Sequence, residues 1–150
     1  MARDRSRKRN FKQRPESVRE ERKVSSIRKL LTFSFKDLDE TQPSNAPQSI
    51  QSWNDEGLLK PFLERLRDLS KLTRDEACKQ QKVKIYGDFP AKAKTDFFHP
   101  RHVDDHVAWG VISSVGGQKG RIAGYIVEST FYIVFLDKEH RFFISEKKNT

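Results

Sequence analysis

Ala108–Ser145 reads AWGVISSVGGQKGRIAGYIVESTFYIVFLDKEHRFFIS, and the rhythm of this stretch decides the fold. Four short blocks rich in β-branched and aromatic residues, Ala108 to Val115, Arg121 to Val127, Thr130 to Leu136 and Arg141 to Ser145, are strand-like. Between them lie turn signals: Gly116-Gly117-Gln118-Lys119-Gly120, Glu128-Ser129 and Asp137-Lys138-Glu139-His140. Turns this short join only antiparallel neighbours, because a parallel crossover needs a dozen or more residues. The stretch therefore predicts an antiparallel β-meander, with the strongly apolar Thr130 to Leu136 as a central strand.

Upstream, Lys82 to Asp88 (KVKIYGD) alternates Val83 and Ile85 with Lys84 and Tyr86 and predicts a first meander strand. Phe89 to Asp105, with Pro90, Pro100 and mixed charges, reads as a long connection. Before these strands the period changes. Leu58, Leu59, Phe62, Leu63, Leu66 and Leu69 recur at three- and four-residue spacing behind Asn54 or Asp55 as a cap, so one helix face is apolar. Thr73-Arg74-Asp75-Glu76 is a capping box that opens a second helix to about Gln81. Glu40 to Ser52, with Pro43 and Pro47, reads as a loop, and Phe33 and Phe35 alternate as a strand would. A helical hairpin followed by a meander packs helix on sheet, which predicts a two-layer α+β domain over residues 25–150.

The first 23 residues, MARDRSRKRNFKQRPESVREERK, hold ten Lys or Arg against four acids and only isolated apolar residues. Residues 1–24 thus read as a disordered basic arm, in which Arg5, Arg7, Lys8, Arg9 and Lys12 are candidate RNA contacts. Over the 150 residues, 30 Lys plus Arg against 21 Asp plus Glu leave a net charge of +9. An excess of this kind concentrates polyanions around a protein, and nucleic acid is the commonest of them. An anionic membrane surface and an acidic protein are the other partners it admits. Cys78 is the single cysteine, so neither an internal disulfide nor a cysteine metal cluster can form. With no apolar run of about 18 residues and no apolar leader, a soluble protein of the reducing cytoplasm is expected, with no membrane association.

Three constellations bear on chemistry. The glycine-rich run Gly116 to Arg121 lacks the GxxxxGK[ST] pattern, and a strand follows it, so it reads better as a hairpin turn presenting Lys119 and Arg121 to a polyanion. His102 and His106 are four apart but lie in HPRHVDDH behind Pro100, without a helical apolar face, so an irregular loop is expected there rather than a metal site. The third set is Arg121, Tyr125, Lys138, His140 and Arg141, drawn from adjacent strands and turns that can converge at one end of the sheet. RNA cleavage by 2′-hydroxyl attack needs a proton acceptor, cations around the phosphorane and a proton donor for the leaving oxygen, and it needs no metal or cofactor. Histidine suits the proton transfer and arginine the phosphate. We therefore take Arg121, His140, Arg141 and Tyr125 as catalytic candidates, Lys119 and Lys138 as RNA-binding candidates, and Trp109 or Tyr125 as the residue that stacks on a base.

The run from Trp109 to Phe143 also resembles a family of small bacterial and mobile-element proteins. They share the pattern W…G-R-[VI]-x-G-[FY]…[FY]-[YF]-[IV]-[VI]-[WF]-L-D-x-x-H. Trp109, Gly120, Arg121, Gly124, Tyr125, Phe131, Tyr132, Phe135, Leu136, Asp137 and His140 match it here. A helical hairpin ahead of a meander with an early arginine and a late LDKEH is, more distantly, similar to the RelE/ParE toxins. That resemblance implies a toxin of a toxin–antitoxin system that cleaves mRNA, on the ribosome or free, and is held inactive by a cognate antitoxin. It implies that Arg121 contacts phosphate and that His140 and Arg141 form the catalytic side. Two other classes stand beside it: a non-catalytic RNA- or ribosome-binding protein, which accounts for the charge and the arm equally well, and a protein-interaction module of a mobile element, which asks only for the fold.

Overall fold

The computed structural model describes residues 29–144, so the basic arm and the last six residues lie outside the described residues. The order of elements is β1 (Thr32–Ser34), α1 (Ile50–Asp55), α2 (Leu59–Leu69), α3 (Arg74–Lys79), β2 (Val83–Gly87), a 3-10 turn (Lys92–Lys94), β3 (Ala108–Ile112), β4 (Arg121–Val127) and β5 (Thr130–Asp137). They form an α+β fold around one five-stranded sheet of order β1-β5-β4-β3-β2. Among the described residues no helix is long and apolar enough to cross a membrane.

Strands β2 to β5 make the expected antiparallel meander, with β4 extending over the residues read from the sequence. The sheet as a whole is mixed, because β1 adds to β5 in parallel, Phe33 beside Phe131. Side-chain alternation marks β1 as a strand but carries no information on its partner or direction. Residues 141–144 do not form the expected last strand. Their backbone is taken elsewhere: Asp96 N donates to Arg141 O at 3.1 Å and Ile144 N to Lys94 O at 2.8 Å. The Asp137 carboxylate accepts from the Arg141 and Phe142 amides, both at 2.8 Å. Once those groups are satisfied, no ladder is left to make.

The helical segment divides where one helix was expected. Ser49 caps α1 through a capping box with Ser52, inside the stretch read as a loop, and Gly57 at φ +73° breaks the chain before α2. A left-handed residue stops a helix, and glycine takes that conformation without a Cβ penalty. Neither Asn54 nor Asp55 caps α2; Leu58 holds the cap position and supplies no side-chain hydrogen bond. The Thr73–Glu76 capping box of α3 is present as read.

Both faces of the sheet are covered. On the first, Trp53 of α1, Phe62, Leu66 and Leu69 of α2 and Ala77 of α3 pack against Val83, Ile112, Ile122, Ile126, Phe131, Ile133 and Leu136. Each such aromatic or aliphatic side chain contributes about 1.5–3 kcal/mol on burial. A two-layer packing covers only one face of the sheet. On the second face, the 88–107 connection and the 141–144 segment bring Phe97, Val103 and Phe142 onto Trp109, Val111, Ala123, Tyr125, Val134 and Phe135. A bulge in β5 makes this second core possible. Ala123 pairs with Phe135 but Gly124 with Ile133, so Val134 is an extra residue. The slip reverses the alternation and turns Phe135 and Asp137 to the second face.

Candidate functional site

Arg121 opens β4 on the second face, two residues before Ala123, and its cross-strand partner is Asp137. Lys84 on β2 pairs with Val111 of β3, which pairs with Ala123 of β4. These registers carry Lys84 and Arg121 to the same end of the second face. His140 arrives from the turn after β5. The fully buried Asp137 draws that turn tight through the Arg141 and Phe142 amides, while the buried Gln48 Oε1 accepts from Lys138 N at 2.9 Å. Held this way, His140 adopts φ +59°, a left-handed conformation that costs a non-glycine residue roughly 1 kcal/mol.

The three basic groups line one recess of about 290 Å³ with Tyr86, Val111, Ser113 and Phe143. Among the described residues no carboxylate lines it. Arg121 is braced from behind: its Nη1 donates to the carbonyls of Gln118 and, at 3.1 Å, Gly120. Its guanidinium is thus aimed by backbone while its other N–H groups donate no hydrogen bond to the described residues. Arg65 reaches across from α2 to donate from Nε to Ser113 O at 3.0 Å, and its charge and that of Arg121 repel. Burial, then the charges of Arg121 and Lys84, hold the His140 imidazole below its ordinary pKa. It is therefore mostly neutral near pH 7, able to accept a proton. Burial pushes the Asp137 carboxyl up, opposed by its two amide hydrogen bonds and by Arg121.

The remaining candidates go elsewhere. Tyr125 is not at the recess: its hydroxyl donates to the buried Asp37 carboxylate, its ring stacks on Tyr132 at 4.7 Å, and it is 7 % exposed. Burial, then the Asp37 hydrogen bond and charge, push its phenol well up. A phenol so committed ties the 35–39 turn to the sheet. Trp109 cannot stack on a base, because its indole is wholly buried among Phe89, Phe135, Phe142, Tyr125 and His99. Arg141 points to the other side of its turn, where Nε donates to Asp96 Oδ2 at 2.6 Å beside Ser44, Asn45 and Lys92. Lys138 is paired with Glu56 at 2.6 Å, and Lys119 is exposed, 3.9 Å from Glu139. His102 Nε2 lies 2.9 Å from Asp37 O, and no group of three or more potential metal-ligating side chains occurs among the described residues. Arg5, Arg7, Lys8, Arg9 and Lys12 lie outside the described residues.

Arg121 and His140 thus come together as read from the sequence, while Arg141, Tyr125 and Trp109 do not join them. Lys84, Tyr86 and Phe143 are the members that sequence reasoning missed. The alternation of Val83 and Ile85 with Lys84 and Tyr86 showed which side chains share a face, but only the strand order shows that this face meets Arg121. Comparison with protein-family models, with curated proteins and with solved structures found no significant match.

Proposed function

We propose that the Lys84–Arg121–His140 recess binds the phosphodiester of RNA and cleaves it by attack of the adjacent 2′-hydroxyl, the activity of a RelE-like toxin. The observation that carries this reading is the convergence of three cationic or basic side chains in a recess that no carboxylate of the described residues lines. Two of the three, Lys84 and Arg121, carry an ammonium and a guanidinium, donors without an acceptor. An anion with spread charge is the ligand such a lining favours.

The steps follow from the groups present. Neutral His140 takes the proton of the 2′-hydroxyl as its oxygen attacks phosphorus. Arg121, aimed by the Gln118 and Gly120 carbonyls, neutralises the two non-bridging oxygens as charge builds on the phosphorane. The bond from phosphorus to the 5′ oxygen breaks, and the Lys84 ammonium supplies the proton the leaving oxygen requires. The products are a 2′,3′-cyclic phosphate and a 5′-hydroxyl. The basic arm and the net charge of +9 favour encounter with the polyanion.

The test is incubation of purified protein with RNA, alone and on translating ribosomes, alongside Arg121→Ala and His140→Gln. Cleavage by the wild type that both variants lose supports the reading. Tight RNA binding by the wild type without cleavage in either setting overturns it, in favour of a non-catalytic RNA-binding protein.

A further inference from the structure

We infer that Tyr86 is a stacking platform for an unpaired nucleobase, so that the recess takes single-stranded rather than duplex nucleic acid; the inference rests on the phosphate-binding reading of the same recess. Tyr86 lines the recess together with Lys84, Arg121 and His140. Its ring lies parallel to that of Phe143, with centroids 4.2 Å apart and planes 4° from parallel, yet 40 % of the residue stays exposed. One face is therefore backed, and part of the residue stays exposed beside the cations.

The backbone presents Tyr86 in this way. Ile85 pairs with Gly110 and Gly87 with Trp109, so the register shifts and Tyr86 has no partner on β3. A bulge of this kind re-aims a side chain, and edge strands such as β2 are where bulges concentrate. Phe143 fixes the ring before any ligand arrives, which removes the ordering cost a free tyrosine would incur on stacking. Lys84 and Tyr86 stand two residues apart on one strand, a separation of about 7 Å. Neighbouring phosphate and base of one nucleotide fit a cation and a ring at that spacing. Aromatic faces interleaved with cations are the chemistry that holds single strands, whereas bases stacked inside a duplex offer no free face.

The experiment compares two fluorescein-labelled 2′-deoxy octamers, one of thymidine and one of tetrahydrofuran abasic units, by anisotropy. They carry equal charge and cannot be cleaved, so electrostatic binding by the basic arm cancels in the ratio. The thymidine strand is expected to bind about 5- to 150-fold more tightly, the range a stacked base supplies. Tyr86→Leu should abolish that ratio and Tyr86→Phe should keep it, with unchanged circular dichroism showing that both variants fold. Equal affinity of the wild type for the two strands, or a ratio that survives Tyr86→Leu, overturns the inference while leaving the phosphate reading intact. An abasic strand whose affinity is unmoved by a Lys84→Met/Arg121→Ala double variant removes the phosphate reading itself and the inference with it.

Discussion

Replacing Lys84 by methionine removes one charge from the recess while keeping most of the side-chain volume. The Lys84 side chain is exposed and donates no hydrogen bond to the described residues, so the fold should not notice the change. Its charge is, however, one of the causes that hold the His140 pKa down, after burial and Arg121. The imidazole should therefore titrate closer to its ordinary value in the variant. A charge-assisted contact to phosphate is worth about 1.5–3 kcal/mol when dry, and screening at an exposed lysine reduces this to about 1 kcal/mol, or roughly 5-fold in affinity. One lost phosphate contact also flattens the plot of log affinity against log salt by about 0.7 for a single strand. The imidazole can be followed by proton NMR and the affinity by anisotropy at several salt concentrations. A His140 titration that does not move, together with an unchanged salt slope, refutes the placement of Lys84 in the anion site.

Other outcomes follow from the same geometry. Because the His140 pKa lies below its ordinary value of 6.5, sulfate affinity should be flat above that pH and rise as the pH falls and the ring becomes a further cation; His140→Gln should remove the rise in a calorimetric titration. Without the anion the sign reverses: the unfolded chain takes up that proton more readily, so the His140 contribution to stability is lost as pH falls through the same window. Tyr125→Phe removes a donor to Asp37 and should cost about 1–3 kcal/mol in a denaturant melt while leaving RNA cleavage intact; lost cleavage at unchanged stability would return Tyr125 to the catalytic set. Gly124→Ala would place a Cβ 1.9 Å from the Tyr132 carbonyl oxygen, a backbone clash that no rotamer relieves. It should destabilise the fold by about 3 kcal/mol or more, and a thermal melt within a degree of wild type contradicts the bulged register of β5.

The meander was legible because β4 and β5 join through two residues and carry nearly unbroken apolar runs, a pattern with few alternative pairings. Gly120 and Gly124 sit where an added Cβ would meet the Val115 and Tyr132 carbonyl oxygens, so two glycines of the G-R-I-A-G stretch have a packing reason. Three features were not legible. The α1 capping box lies among residues whose prolines read as loop, and only the burial of Trp53 explains why a helix forms there. The Val134 bulge shifts the parity of β5 without any glycine or proline to announce it, and with it the facing of Phe135 and Asp137. Apolar residues of the 88–107 connection, such as Phe97 and Val103, look scattered in sequence and become a second core only once the connection folds over the sheet. Burial of Trp109 and Tyr125 follows from that cover, which a two-layer arrangement does not supply. Arg121 and His140 line one recess because the start of β4 and the turn after β5 are neighbours in the meander, whereas Arg141, the next residue after His140, leaves on the opposite side of its turn for Asp96.

The central claim is that Arg121 and His140 act together on RNA, and sequencing that captures 2′,3′-cyclic phosphate ends in expressing cells tests it most directly. Wild type, Arg121→Ala and His140→Gln would be expressed from a tightly controlled promoter and shown to be equally soluble. The account predicts new cyclic-phosphate ends and growth arrest with the wild type and neither with the two variants. New ends that persist undiminished in both variants, or their absence with soluble wild-type protein, would contradict it.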